Sequence, residues 1–232
     1  MTNDSDEGPE SALRSEALRV YRRYALEVVE GFDLCPWAAY ARRDGRVVEY
    51  VILAENKLDP QQSLERLLAL VTERKTEIAL FIYPDLALDR LGFESFVRTL
   101  RERDAARHEV GEIPFAMAAF HPDARPDVGD ADRLIPFLRR TPDPTIQVVR
   151  QSALDRVRGG SQEGTSFIDL STLTALPIPQ KEPLSLRQRI GQANLETALE
   201  VGVERLETLL SDIRRDRDES YARLRNQPSG EP

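Results

Sequence analysis

Phe115-Ala-Met-Ala-Ala-Phe-His121-Pro122-Asp123 is the stretch on which the reading of this chain turns. An apolar run without polar alternation describes a strand covered by helices on both faces. Proline cannot donate to a sheet ladder and restricts the residue before it, so the strand stops at His121 and holds the imidazole at its carboxyl end. His121 is one of only two histidines in the chain. A second apolar run, Ile78-Ala-Leu-Phe-Ile-Tyr83, meets Pro84-Asp85 in the same way. In open α/β sheets ligands sit beyond the carboxyl ends of strands, so the two endings mark a place for a site without naming a reaction.

Outward from these strands the pattern alternates. Arg46 to Leu53 is rich in strand formers after the turn signal Asp44-Gly45. Asp59-Pro60 supplies an N-cap and a first helical residue, and Leu64, Leu67, Leu68 and Val71 form one apolar stripe. Phe93, Phe96, Val97 and Leu100 do the same for a third helix, the first being striped by Leu18, Tyr21, Ala25, Val28, Val29 and Phe32 and ended by Gly31. Connections of about 24 and 31 residues, each holding a helix, suit parallel crossovers. Thr145 to Arg150 reads as a fourth strand, with Ile146 and Val148 on one face and Gln147 on the other, as on a sheet edge. A short helix is expected near Asp130 to Leu138, and a final one opens with the capping-box pattern Ser185 and Gln188.

The expected fold is therefore a single α/β domain, with a mostly parallel sheet of about four strands, helices on both faces and a long C-terminal helix packed across it. Residues 1–10 read as a disordered tail, 11–158 as the α/β core, 159–183 as a long loop or insertion, 184–220 as the C-terminal helix, and 221–232 as a second tail.

Composition narrows the function. The chain has 232 residues and a net charge of -8, which opposes non-specific attraction to nucleic acid or anionic lipid. Neither nucleic acid nor membrane is an expected partner, and no apolar run approaches the ~20 residues of a spanning helix. A single cysteine excludes an intrachain disulfide and suits a reducing cytoplasm. Two histidines and one cysteine are too few for the usual zinc ligand sets, so neither a metal nor a cofactor is expected. Oligomeric state is not legible.

The candidate site residues are Cys35 and His121 as catalytic groups, with Arg140, Thr141, Asp123, Asp85, Tyr83 and Trp37 as substrate-binding groups. A thiolate at Cys35 is a nucleophile if its pKa is lowered, and a small buried hydrophobe beside Trp37 if it is not. His121 is either an acid/base partner of that thiol or a ring bonded to a backbone carbonyl. Asp85 and Asp123 either assist His121 or serve as ordinary turn residues. Arg140 and Thr141 offer donors to a small anionic molecule, or else the arginine braces two loops through Asp123 or Asp143. No Gly-rich phosphate loop, Gly-x-Ser-x-Gly elbow or His-Glu-x-x-His helix occurs.

Two resemblances bear on these residues. Cys35-Pro36-Trp37-Ala38 looks like the Cys-Pro-aromatic-Ala motif of glutathione-dependent thioredoxin-fold proteins, and Thr141-Pro142 echoes their cis-proline. In those folds, however, the cysteine follows a strand and begins a helix, whereas here it follows a helix and precedes a strand. Leu34-Cys35-Pro36-Trp37-Ala38, Phe120-His121-Pro122-Asp123 and Arg140-Thr141-Pro142-Asp143-Pro144-Thr145, in that order, resemble the bacterial domain of unknown function 1415 family over roughly Tyr21 to Asp155, with the final helix around Asn194 included and the loop from Gly159 to Pro183 as an insertion. That family brings no established activity; the resemblance implies only that Cys35, His121 and Arg140 belong together. Three functions stay open: a small-molecule enzyme using a Cys/His pair on an anionic substrate, a non-catalytic ligand-binding or protein-interaction domain, and a glutathione-type thiol redox protein. The sequence does not decide whether the chain is an enzyme.

Overall fold

The fold comes from a computed structural model that describes residues 8–35, 37–53, 58–109, 112–159 and 186–226, with backbone alone for 157–159, 186 and 187. Four strands, β1 (Val47–Val51), β2 (Ile78–Ile82), β3 (Phe115–Phe120) and β4 (Thr145–Arg150), form one sheet in the order β1-β2-β4-β3. Only β1 and β2 pair in parallel; β4 lies antiparallel to both β2 and β3. The sheet is thus mixed and not mostly parallel as expected. The reason is insertion: β2 and β3 do run the same way, but β4 fills the slot between them, which makes it an inner strand and leaves β3 on the edge.

Register divides the side chains cleanly. Val47, Ile78, Leu80, Gln147, Val149, Ala116 and Ala118 share one face, because Val47 pairs with Ile78, Ile78 with Val149, Leu80 with Gln147, Ala116 with Val149 and Ala118 with Gln147. The opposite face carries Tyr50, Phe81, Ile146, Val148 and Met117. Helices α3 (Pro60–Thr72) and α4 (Arg90–Ala105) cover this second face through Leu64, Leu67, Phe93, Phe96 and Leu100. Phe81 is wholly buried there, a burial on the order of 2–3 kcal/mol for a side chain of its size. The first starts where the sequence says it should, Asp59 accepting from the Gln61 amide at 2.8 Å, and the second is capped by Asp89, which accepts from the Gly92 amide at 2.7 Å.

The first face is covered by α1 (Pro9–Tyr24), a π-helical continuation over Ala25–Glu30, α2 (Ala38–Arg43), α5 (Ala131–Leu138), α7 (Leu186–Val201) and α8 (Val203–Asn226). Helix α6 (Gln151–Gly159) follows β4 directly. The first helix, whose expected stripe opens at Leu18, begins at Pro9, within the segment expected to be a tail. It widens at its end, where the Gly31 amide reaches the Leu26 carbonyl at 2.9 Å and the Leu34 amide reaches Val29 at 2.9 Å. A Cβ on Gly31 would lie 2.5 Å from the Glu27 carbonyl oxygen, so only glycine fits there.

The single C-terminal helix is in fact two, broken at Gly202, whose φ of 90° is open to glycine and strained for other residues. The second runs to Asn226 with Tyr221 buried, beyond the expected limit at residue 220. The expected loop, from residue 160 on, and the capping residue Ser185 lie outside the described residues. So do 1–7 and 227–232.

Candidate functional site

The strand-end turns and the sheet-face cavity are chemically different places. At the first, the carboxyl ends of β2 and β3 lie beside the start of β4, so Tyr83-Pro84-Asp85, His121-Pro122-Asp123 and Arg140-Thr141-Pro142-Asp143 come to one end of the sheet. Helix α8 lies across them. Arg214 pairs with Asp123 at 2.6 Å, Arg217 with Asp143 at 2.8 Å, and Arg225 with Asp85 at 3.6 Å. Arg217 also donates to the Pro84 carbonyl at 2.7 Å, and the Tyr221 hydroxyl to Asp143 at 2.7 Å. Asp143 has no exposed surface, and that burial raises its carboxyl to about 6 against the opposing pull of Arg217 and Tyr221.

The sequence candidates at this end are fully engaged. His121 is buried with its ring 5.9 Å from that of Phe93. Its Nε2 lies 3.0 Å from the Leu88 carbonyl oxygen, which can only accept, while the Asp123 amide donates to Nδ1 at 3.2 Å. Both bonds require the neutral ring with its proton on Nε2. Burial lowers the His121 pKa, favouring that same form against the Leu88 bond and Asp123. No ring nitrogen is left to accept a proton from a thiol. Arg140 donates to the Pro122 carbonyl at 3.1 Å and to Glu207 at 2.5 Å. Thr141 donates to the Asp143 carbonyl at 2.6 Å, and the Tyr83 hydroxyl meets that of Ser63 at 2.8 Å on the opposite sheet face.

The cavity lies over the first face and has a volume of about 800 Å³, within the ~300–1,000 Å³ typical of small-molecule sites. Its floor is Ile78, Leu80, Gln147, Val149, Ala116 and Ala118, and the small β3 side chains leave the space open. Tyr21, Tyr24, Cys35 and Trp37 make one wall, Ile135 and Leu138 another, and Gly191 and Asn194 of α7 a third. Arg98 and Arg101 reach it from α4 past the free edge of β3. The π-helical turn delivers Val29, Leu34 and Cys35 to this wall.

Within the wall, Trp37 is fixed by a 3.2 Å bond from its Nε1 to Glu77, which also holds Arg46 at 2.8 Å and pairs with Arg156. Tyr24 is fixed by its 2.7 Å bond to the Leu138 carbonyl. The Cys35 thiol is pushed up by burial, with the nearby backbone amides of Trp37 and Ala38 acting the other way. Two polar groups differ from these. Among the described residues the Tyr21 hydroxyl and the Gln147 amide line the cavity without a hydrogen-bond partner, and Tyr21 is 4% exposed.

Of the eight residues expected from sequence, Cys35 and Trp37 face the cavity, and the other six belong to the strand-end network or the opposite core. Cys35 and His121 are not brought together. Tyr21, Gln147, Arg98 and Arg101 were missed because a tyrosine in an apolar stripe and a glutamine on a supposed edge carry no motif. A short helix absent from the sequence reading, α2, does follow the cysteine, starting three residues on at Ala38, yet the cysteine itself comes after a helix and not a strand. No peptide among the described residues is cis. Among those residues no group of three or more His, Cys, Asp or Glu is placed to hold a metal ion, and no helix is long and apolar enough to cross a membrane.

No curated protein and no solved structure matches the chain. One family does, described as protein of unknown function (DUF1415), over residues 17–168, which takes in all four strands and the cavity floor and stops short of α7 and α8. On that match the chain belongs to the DUF1415 family.

Proposed function

We propose that this protein binds a small organic molecule in the sheet-face cavity, and that the strand-end turns serve to dock α8. The observation that carries this reading is a pair of polar groups, Tyr21 and Gln147, that find no hydrogen-bond partner among the described residues and stand among the apolar side chains of the cavity's floor and wall. Both groups keep polar surface open to the cavity, where the hydrogen-bonding atoms of a ligand can reach them. The free thiol fits a reducing compartment, in keeping with a cytoplasmic protein.

A second reading, in which the protein is an enzyme acting through Cys35, is favoured by the place of that thiol in the cavity wall, with the backbone amides of Trp37 and Ala38 near enough to oppose the effect of burial on it. Such chemistry would proceed without His121, whose nitrogens are both occupied. A thermal-shift screen of small organic molecules against wild type, Ala118→Leu and Ala118→Phe tests the binding reading. Hits should stabilise wild type and lose that effect as the side chain at 118 grows into the cavity. Hits that survive in both variants would refute the assignment.

A further inference from the structure

Resting on that reading of the cavity, we infer that its ligand is an apolar-bodied carboxylate, held at its charged end by Arg98 and Arg101 and at a neutral polar group by Gln147. The two arginines stand three residues apart on α4, on neighbouring positions of one helix face, and both line the cavity. Among the described residues neither is paired with a carboxylate. Arg98 donates to the Ser95 hydroxyl at 3.0 Å, and Arg101 to the Met117 carbonyl at 2.7 Å. Glu94, the acid that also lines this part of the cavity, is taken by Arg90 at 2.6 Å.

The contrast with Arg42, which also lines the cavity, sharpens this. Arg42 already bonds Glu30 at 2.6 Å and Glu49 at 3.4 Å, so its charge is spent within the protein. The guanidiniums of Arg98 and Arg101 keep donors in the planar arrangement that suits a carboxylate. The exposure of both residues places the anion at the mouth, where it stays partly hydrated. Deeper in, the surface is Ile78, Leu80, Val149, Ala116 and Ala118, which takes an aliphatic or aromatic body and offers nothing to a second charge. Gln147 is the polar side chain on that floor, and being neutral it matches a hydroxyl, carbonyl or amide on the body.

The test uses the full chain and three probes with one body and different heads: decanoate, decanol and decylamine. Cys35 is the only cysteine and lines the cavity, so its alkylation by iodoacetamide reports occupancy directly. Decanoate should slow alkylation and raise the melting temperature, and decylamine should do neither. The charge reversal Arg98→Glu with Arg101→Glu should weaken decanoate at least about tenfold, the loss of two charge-assisted contacts, and improve decylamine. Equal protection by decanol and decanoate, unchanged in the reversal variant, would overturn the carboxylate inference and leave the cavity reading standing. Failure of all three probes to protect Cys35 would count against the cavity reading itself.

Discussion

The two polar regions of this molecule differ in one respect that decides their roles: whether their side chains have already found partners. At the strand ends, Asp85, Asp123 and Asp143 each follow a proline and each meets an arginine of α8. In the cavity, Tyr21 and Gln147 meet nothing among the described residues, and Arg98 and Arg101 meet no acid. Proline-aspartate turns stand out in a sequence because their residue types are unusual, yet here they are the parts whose bonding is complete. A saturated network is a property of the fold, while an unsatisfied one inside a cavity waits for a ligand.

The largest break in this comparison comes from Asp143→Ala. It strips a buried position of the carboxylate that holds Arg217 and Tyr221, and should cost about 3–5 kcal/mol in urea or guanidinium denaturation. A loss below about 1 kcal/mol would mean that α8 is not held through this residue. The pH dependence sharpens the same point. Asp143 has its carboxyl raised to about 6 by burial, above the unfolded value of ~3.9, so the folded state holds that proton more tightly. The stability it contributes is complete below about pH 4 and is lost as pH rises through 6, roughly 2 kcal/mol over the window. Asp123, lowered first by its bond from Arg214, and Asp216, lowered first by Arg19, act oppositely and lose their contribution as pH falls below the usual carboxylate range. In Asp143→Asn the decline between pH 4 and 6 should vanish while the acid-side loss remains.

His121→Ala should follow, at about 1–3 kcal/mol, since it strands the Leu88 carbonyl and the Asp123 amide. The pH midpoint of Cys35 alkylation should not move in that variant and should stay above the ordinary thiol value in both proteins. A midpoint shift on removing His121 would restore the Cys/His pair. The smallest change is Ala118→Leu, which fills open space and should alter stability by no more than about 1 kcal/mol in either direction.

Much of the fold was legible because its signals are local. Asp59-Pro60 and the stripe of Leu64 and Leu67 state a helix start and a buried face within a few residues, and the ends of β2 and β3 are each marked by a proline. Strand order was not legible, because pairing β4 between β2 and β3 depends on contacts far apart in the chain. Gln147 misled for a physical reason: a polar residue inside a strand signals water at an edge, but a cavity over an inner strand presents the same face. The charged run from Arg214 to Glu219 reads as a solvated helix end. Its useful signal was spacing, since Arg214, Arg217, Tyr221 and Arg225 recur on one face of α8, and a tyrosine amid those charges marks the side that is buried. Of the motif residues, Cys35 and Trp37 stand in the cavity wall, while those around Asp85, His121 and Arg140 meet at the end of the sheet. What linked them was bonding to α8, a segment with no motif of its own.

Trp37 is the only tryptophan and stands in the cavity wall, so its emission tests the central claim most directly. A fluorescence titration with decanoate should give a saturable change in wild type, persist in Arg140→Ala, and disappear in Ala118→Phe. A response lost in Arg140→Ala and retained in Ala118→Phe would put the ligand at the strand ends and contradict the account.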